Sequence, residues 1–339
     1  MRAVSLFSGV CGIDLAFERA GIETVLQAEK DPWCLEVLAR HWPDVERVDD
    51  VRAVGVGHGA GDECGEQAEP GAGTGADAQW SGADVDLVYG GFPCQPFSVA
   101  GKRGGADDGR NGWPEFRRIV SELRPRWVVA ENVPGLLSID SGRYFATIIN
   151  DLDELGFDVA WAVLDAQHFG VPQRRRRVFI VAGPRGRGAE QVLSICEGCG
   201  GNPETGGEAG EGTPLAPALR ASGVGTERIG DTRGQDPLVV EPAMVVAHTL
   251  TAETYHHGGF PNQTVGPDNG YMQATAAGVR RLTPRECNRL QGFPDDWDRW
   301  TADGREIADS HRYRMMGNAV AVPVLEWIGR RLVAVDALT

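Results

Sequence analysis

The sequence lacks a long apolar run, and this absence narrows the class of protein that it encodes. Hydrophobic residues make up 42% of the 339 residues, enough for one sizeable core and a smaller second domain. The first residues carry one basic side chain and an apolar stretch too short for a signal peptide or a membrane span. We therefore expect a soluble, cytoplasmic protein with no contact to a membrane.

Lysine is almost missing, because Lys30 and Lys102 are the two lysines among 33 basic residues. The net charge of −15 excludes a protein that is basic over its whole surface, as general nucleic-acid binders are. The arginines are nevertheless concentrated locally: residues 174–177 are four consecutive arginines, and residues 280–289 contain four more. These two clusters are candidate contacts to phosphate groups.

The seven cysteines, an odd number at scattered positions, do not form a disulfide framework, so we expect reduced thiols. Cys196 and Cys199 form one C-x-x-C pair, with His256 and His257 as conceivable further ligands. No second pair follows at the spacing of a zinc finger, so no metal site is predicted. Two other cysteines lie on helical patterns and are expected in the core: Cys34 and Cys287.

Strands and helices alternate along most of the chain. Apolar runs predict strands at residues 3–8, 24–28, 45–51, 85–89, 126–130, 158–164 and 177–183. Apolar positions at helical spacing predict helices at residues 13–20, 32–42, 113–123, 144–155, 284–290 and 321–335. This alternation favours an α/β fold with a doubly wound, mostly parallel sheet.

Composition divides the chain into three parts. Residues 1–183 carry the alternating pattern and form the predicted catalytic and cofactor-binding domain, with a glycine-rich insertion at about 55–83. Residues 184–279 have no convincing long helix, and we expect a smaller, irregular or β-rich domain there. Helical periodicity returns in residues 280–339, which are predicted to pack back on the first domain.

Three successive predicted strands end in residues that suit a nucleoside-containing ligand. The full G-x-G-x-x-G spacing is absent, but segment 7–12 (Phe-Ser-Gly-Val-Cys-Gly) brings backbone amides and a helix N-terminus together. Taken alone, this turn fits an adenosyl site, a dinucleotide site or a plain tight turn. Glu29 ends the next strand, where such folds bind a ribose diol, and Asp50 and Val51 follow the third, where they suit an adenine edge. Together these strand ends have the arrangement of an S-adenosylmethionine site.

A loop rich in proline and glycine follows the next predicted strand. Residues 90–102 read Gly-Gly-Phe-Pro-Cys-Gln-Pro-Phe-Ser-Val-Ala-Gly-Lys, and Cys94 lies where the strand passes into the loop. A lone cysteine is more often a small buried hydrophobe, but two prolines and two glycines suit a positioned nucleophile better than a core segment. Glu131 ends the following strand and is predicted to lie beside Cys94, although a lone glutamate is as often an ordinary surface residue.

The four arginines after Gln173 lead into a predicted strand. Successive side chains of a strand point to opposite faces, so Arg175 and Arg177 share one face. A run of charge is usually a solvated face, and Arg174 and Arg176 are left for phosphates or solvent.

These segments resemble, in the same order, the motifs of DNA (cytosine-5)-methyltransferases. The Cys94 loop, the Glu-Asn-Val at 131–133 and the Gln-x-Arg-x-Arg at 173–177 carry the resemblance. Residues 280–297 resemble the ninth motif of the family and residues 313–323 its last. The resemblance covers about 1–51, 84–183 and 280–335, with one departure at Cys11, where the family commonly has glycine.

The resemblance implies a Rossmann-like fold, S-adenosylmethionine as methyl donor, S-adenosylhomocysteine as product, and a monomer that acts on double-stranded DNA. It implies that Cys94 attacks C6 of a flipped-out cytosine while Glu131 contacts N3 and N4, and that residues 184–279 recognise the target sequence. Arg175 and Arg177 would anchor the flipped base and the catalytic loop. The implied cofactor-binding residues are Phe7, Ser8, Gly9, Val10, Gly12, Glu29, Asp50, Val51, Pro93, Asn318, Ala319 and Val320.

Three other functions compete with this one. A tRNA cytosine methyltransferase would share the catalytic set, but the Cys-Phe-Thr signature of that branch is absent. A DNA-binding protein that has lost turnover would not need Cys94, Glu131 and Arg175 together, and a redox enzyme with a dinucleotide cofactor would leave the Cys94 loop unexplained. A restriction endonuclease that acts separately is compatible with the sequence but is not indicated by any residue.

Overall fold

The structure is a computed structural model that describes residues 1–55, 85–93, 111–186, 188–194, 272–275 and 278–338. In this part of the chain the main sheet has the strands β1 (Arg2–Leu6), β2 (Glu23–Ala28), β3 (Glu46–Val48), β4 (Leu87–Gly91), β5 (Trp127–Asn132), β6 (Phe157–Asp165) and β7 (Arg176–Pro184). Their order is β3-β2-β1-β4-β5-β7-β6. β1 to β5 are parallel, and β7 runs antiparallel to both of its neighbours. The predicted doubly wound, mostly parallel sheet is confirmed.

The described helices are α1 (Gly12–Arg19), α2 (Pro32–His41), α3 (Trp113–Leu123), α4 (Arg143–Glu154), α5 (Ala189–Leu193), α6 (Pro284–Gln291), α7 (Asp309–Asn318) and α8 (Val322–Asp336). Short 3-10 segments occur at Val51–Ala53, Pro134–Gly142 and Ala166–Phe169. A separate antiparallel pair consists of β8 (Met272–Thr275) and β9 (Gly278–Arg281).

The central strands are apolar on both faces because helices cover both sides of the sheet. In β4, Leu87 and Tyr89 point into one core cluster and Val88 points into the other. The first core cluster lies between the sheet and α1, α5 and α8, and the second lies between the sheet and α3 and α4. α3 and α4 thus bury their apolar stripes against strands that the sequence also predicts.

The C-terminal helices add to the first core cluster. Phe17 on α1 packs against α8 at Gly329, where an added Cβ would lie 2.9 Å from the Phe17 ring. Met315 and Met316 of α7 and Cys287 of α6 are buried in the same cluster. α6 begins with a capping box in which Thr283 and Glu286 satisfy each other's backbone N–H groups. The helices after residue 280 therefore share the first core cluster with β1 and α1, at the other end of the chain.

Most element boundaries agree with the sequence analysis to within one or two residues. α3 covers the predicted residues 113–123, and the predicted core positions Cys34 and Cys287 are buried. α7 was not predicted, because its sequence is mostly polar until the two methionines at its end. The insertion at 55–83 falls almost wholly outside the described residues, and the three-part domain division stays a prediction.

Candidate active site

The described residues of the predicted site lie at one edge of the sheet, because β1 to β5 are parallel and their carboxyl ends meet there. The antiparallel β7 begins at the same edge, beside the end of β5. The strand order reverses between β1 and β4, and open α/β sheets bind ligands in the crevice at such a reversal. Gly90 allows these two strands to meet: an added Cβ would lie 2.1 Å from the carbonyl oxygen of Leu6. Any side chain at position 90 would therefore collide with the backbone of β1.

The turn between β1 and α1, residues 7–12, contains three left-handed backbone conformations. The φ angle is 53° at Phe7, 55° at Gly9 and 70° at Cys11. The Cys11 N–H donates to the Ser8 carbonyl at 3.0 Å, which closes the turn at the start of α1. A left-handed φ favours glycine, which explains why glycine suits position 11. Here a cysteine occupies it, and its thiol, fully buried in the first core cluster, has a raised pKa because of that burial.

The carboxylate of Glu29 is fixed beside this turn. One oxygen, Oε2, accepts the Gly9 N–H at 2.7 Å. The other, Oε1, accepts the backbone N–H groups of Lys30 at 2.9 Å and Asp31 at 2.8 Å. The structure thus brings the ends of β1 and β2 together, as the sequence analysis expected for a diol-binding carboxylate.

Asp50 and Val51 follow β3 at the same edge. The Asp50 side chain accepts the Arg52 N–H at 2.9 Å and caps the short 3-10 segment. The Arg52 guanidinium also pairs with this carboxylate and lowers the pKa of Asp50 to about 2. Val51 is half-buried against the second core cluster. Asp50 is consequently ionised at neutral pH and lies one residue before the candidate adenine contact.

The exit from β4 is held from two sides. Gly91 pairs with Glu131 in the β4–β5 register, and the Asn132 Nδ2 donates to the Phe92 carbonyl at 2.9 Å. The Gly112 N–H donates to the Pro93 carbonyl at 3.0 Å. Cys94, the predicted nucleophile, lies outside the described residues. The described segment 85–93 therefore stops one residue before Cys94, next to the strand end that carries Glu131.

Glu131 forms a buried ion pair at the end of β5. Its Oε1 lies 3.0 Å from the Nε of Arg177, and the two side chains are 11% and 13% exposed. Burial raises the pKa of Glu131 above its ordinary value, while Arg177 and Arg175 oppose the rise. A carboxyl group in this environment exchanges a proton nearer to neutral pH than an exposed glutamate does.

Arg175 connects the start of β7 to the end of α7. It is 2% exposed, and its guanidinium donates to the carbonyl of Gly317 at 3.1 Å and to the carbonyl of Ala319. Between these two carbonyls lies Asn318, whose side chain is exposed. Val320 then packs on the turn, because a Cβ added to Gly12 would lie 2.7 Å from Val320 Cγ2. The residues predicted from the first and last motifs are thus neighbours in space.

A groove of about 390 Å³ opens beside the Glu131–Arg177 pair. Asp165 is the carboxylate among its lining residues, and its oxygens already accept from Gln167 Nε2 at 2.8 Å and the Arg175 backbone N–H at 2.9 Å. With three arginines and one carboxylate in its lining, the groove carries a net positive charge. Its lining residues are Pro134, Asp165, Gln167, Arg174, Arg176 and Arg177.

The sequence analysis missed one contact to the turn at 7–12 and a buried polar network beneath it. The Trp297 indole N–H donates to the Val10 carbonyl at 3.1 Å, although the two residues are 287 positions apart. Asp14, on the buried face of α1, accepts hydrogen bonds from Ser5 and Gln27. The signal for this network was present in the sequence, since polar residues interrupt the apolar patterns of β1, β2 and α1 at these positions.

Within the described residues, no group of three or more potential metal ligands is found. The C-x-x-C pair at 196–199 and the histidines at 256–257 lie outside those residues. In the same part of the chain, no helix is long and apolar enough to cross a membrane.

The chain matches the family model for C-5 cytosine-specific DNA methylases over residues 1–193 and 232–334. Among similar curated proteins, the type II methyltransferase M.NgoBI of Neisseria gonorrhoeae is 30% identical, with 96% of this chain and 90% of that protein covered. The type II methyltransferase M2.BsuMI of Bacillus subtilis is 29% identical, with 98% of this chain and 75% of the relative covered.

Solved structures show a similar fold. The S. pombe Dnmt2 methyltransferase superposes with a TM-score of 0.62 at 17% identity, covering 99% of both chains. The Entamoeba histolytica methyltransferase EhMeth gives a TM-score of 0.58 at 15% identity, covering 100% of this chain and 99% of the other. At these identities the likeness concerns the fold.

Proposed function

The chain belongs to the C-5 cytosine-specific DNA methylase family and is a DNA (cytosine-5)-methyltransferase, and we propose that it uses S-adenosylmethionine and a covalent Cys94 intermediate on a flipped-out cytosine. The observation that carries this proposal is the buried Glu131–Arg177 pair, held in register with the strand exit that leads to Cys94. An acid–base group and a candidate nucleophile on adjacent strand ends are the two parts that the reaction requires.

The residues at the β1–β3 ends fit the methyl donor. The Oε2 of Glu29 accepts one hydrogen bond, from Gly9, so it retains a lone pair for a ribose hydroxyl. The exposed side chain of Asn318 and the half-buried ring of Phe7 are further candidate contacts, and Val51 is a candidate contact to adenine. S-adenosylmethionine supplies an electrophilic methyl group on a sulfonium. This chain's task is to orient that methyl group and to exclude water.

The chemistry on cytosine needs two groups of the protein. The Cys94 thiolate forms a bond to C6, while the Glu131 carboxyl donates a hydrogen bond or a proton to N3, so that electron density moves to C5. C5 then bonds to the methyl carbon and displaces S-adenosylhomocysteine from it. A base removes the C5 proton, the C6–sulfur bond breaks to restore the aromatic ring and the thiolate, and a proton taken up at N3 returns to Glu131. Burial raises the pKa of Glu131, which favours the protonated form that N3 needs.

Arg177 has a second role in this proposal. Its Nε pairs with Glu131 and fixes the carboxyl group, and its Nη1 donates to the Arg176 carbonyl at 2.8 Å. In this proposal Nη2 is the part of the guanidinium that contacts the base. Arg175 holds the Asn318 segment through the Gly317 and Ala319 carbonyls. We assign Arg175 to positioning rather than to contact with the reacting atoms.

Double-stranded DNA is the proposed substrate. The target base lies inside the helix, so it must be flipped out before a thiolate can reach C6. The positive groove with Arg174 and Arg176 at its rim suits the phosphates beside the flipped nucleotide. Residues 184–279 are the proposed region for reading the sequence.

The experiment is transfer of a labelled methyl group from S-adenosylmethionine to unmethylated duplex DNA of mixed sequence, followed by nucleoside analysis. We expect label in 5-methyldeoxycytidine with the wild type and none with Cys94→Ser. Folded RNA and single-stranded DNA are the matched substrates. Label on RNA alone would refute the DNA assignment, and cofactor binding without transfer to any substrate would favour the non-catalytic alternative.

A further inference from the structure

A buried polar network lies directly beneath the turn at 7–12, and the proposed reaction does not use it. Asp14 and Gln27 are fully buried, and Ser5 is 1% exposed. The Asp14 carboxylate accepts the Gln27 Nε2 at 2.9 Å and the Ser5 hydroxyl at 3.1 Å. Ser5 Oγ in turn lies 2.8 Å from the hydroxyl of Ser8, a residue of the turn. A chain of hydrogen bonds therefore runs from Asp14 to the turn.

Within the described residues, Asp14 has no cationic partner. Its neighbours lie on three strands and on the turn before α1. Ser5 lies on β1, Gln27 on β2 and Tyr89 on β4, and Cys11 precedes α1, the helix that carries Asp14. The titratable groups among them are the Cys11 thiol and the Tyr89 hydroxyl, and burial raises the pKa of both, so they stay neutral. Burial likewise raises the pKa of Asp14 to about 6, against the opposing hydrogen bonds from Gln27 and Ser5.

The charge of Asp14 decides which hydroxyl donates and which accepts in the hydrogen bonds from Asp14 through Ser5 to Ser8. A carboxylate accepts only, so Ser5 must donate to Asp14, and the Ser8 hydroxyl then donates to Ser5. A protonated Asp14 can donate to Ser5, which reverses the chain and sends the Ser8 proton towards other acceptors. The carbonyl of Ala28, at 3.4 Å, is one such acceptor. Each state thus holds the turn in a different hydrogen-bonding pattern.

We propose that Asp14 is a positioning residue for the cofactor turn: through Ser5 it holds the Ser8 hydroxyl and keeps residues 7–12 in the conformation that binds S-adenosylmethionine. This inference rests on the cofactor site proposed above. An uncharged apolar residue would fill the buried face of α1 at lower desolvation cost, so a role in packing alone does not account for a carboxylate without a cation.

The experiment measures dissociation constants of S-adenosylmethionine by calorimetry between pH 5 and 7.5, with thermal unfolding in parallel. The variants are Asp14→Asn, an isosteric mimic of the protonated state, and Ser5→Ala, which cuts the chain. Thr301→Val is the matched control, because Thr301 is also buried and its hydroxyl accepts the Arg305 backbone N–H at 2.8 Å, in a segment apart from Asp14, Ser5 and Ser8.

We expect wild-type affinity to fall about fivefold as the pH drops through 6, the effect of one neutral hydrogen bond. Asp14→Asn should show the lower affinity at every pH, and Ser5→Ala should lose a similar factor. Thr301→Val should keep the wild-type pH profile even if its melting temperature falls. An Asp14→Asn variant with the wild-type pH profile, or a Ser5→Ala variant with full affinity, would overturn the inference. A wild type that binds no S-adenosylmethionine would instead refute the cofactor site, and this inference with it.

Discussion

Two neighbouring arginines are expected to behave in opposite ways when each is replaced by methionine. The Arg175 side chain is buried, and its guanidinium donates to the carbonyls of Gly317 and Ala319. Arg176, the next residue, is exposed at the rim of the positive groove. Methionine keeps much of the aliphatic length and removes the charge and the donors, so each variant isolates the guanidinium.

The magnitudes follow from these environments. A hydrogen bond from a charged donor contributes about 1.5–3 kcal/mol, so losing two at Arg175 should lower the free energy of unfolding by about 3–6 kcal/mol. An exposed substitution at Arg176 should change it by less than about 0.5 kcal/mol. Since a whole domain has a stability of about 5–15 kcal/mol, Arg175→Met should stand out clearly from Arg176→Met.

The assays are urea unfolding for stability and DNA binding at several salt concentrations. Arg176→Met should unfold like the wild type but reduce the slope of log affinity against log salt by about 0.9, the effect of one lost phosphate contact. Arg175→Lys should recover part of the loss, because an ammonium keeps the charge but not the planar fork. Equal urea midpoints for Arg175→Met and the wild type would refute the positioning role of Arg175.

Three further substitutions test other parts of the structure. Gly90→Ala should lower the free energy of unfolding by about 3 kcal/mol in urea, because its added Cβ would meet the backbone of β1. Gly135→Ala is the control: its added Cβ would lie 4.0 Å from Val133 Cγ2, an ordinary contact, and the substitution should change stability by less than about 0.5 kcal/mol. Trp297→Phe removes the donor to the Val10 carbonyl, so it should lower the free energy of unfolding by about 1 kcal/mol and weaken cofactor binding in calorimetry. Unchanged cofactor binding would show that this hydrogen bond does not support the cofactor site. Burial raises the pKa of Glu131 above 4.5, so its contribution to stability is present below that pH and is lost as the pH rises through the folded pKa. Glu131→Gln should therefore flatten this part of the stability profile in urea unfolding from pH 4 to 8, and an unchanged profile would contradict the assignment.

The architecture was readable from the sequence because local patterns and tertiary packing agree. β4 carries apolar residues on both faces, which is what a central strand covered by helices requires. α3 has its apolar residues at helical spacing and matches its predicted range. α7 shows no such spacing, and its buried side chains are two methionines of the first core cluster and Arg312, which pairs with the buried Asp298. A helix stabilised by its distant partners leaves little local signal.

The position of some candidate site residues was predictable, because parallel strands place their carboxyl ends at one edge of the sheet. A carboxylate at a strand end beside a glycine turn, as at Glu29, is such a case. The sequence shows polar residues interrupting the apolar patterns at Ser5, Asp14 and Gln27, but it does not show that they bond to one another, because that depends on two strands and a helix meeting at one buried point. The same holds for Trp297, whose bond to Val10 joins opposite ends of the chain. The strain that accompanies cysteine at position 11 also became visible only as a left-handed φ angle.

The most direct test of the central claim is covalent trapping on DNA that contains 5-fluorocytosine. Fluorine at C5 cannot leave as a proton does, so the enzyme that has attacked C6 and transferred the methyl group stays bonded to the DNA. We predict a denaturant-resistant protein–DNA complex that requires S-adenosylmethionine, forms with the wild type and is absent with Cys94→Ser. Methylation of ordinary cytosine by Cys94→Ser, or turnover on 5-fluorocytosine without a trapped complex, would contradict the covalent mechanism.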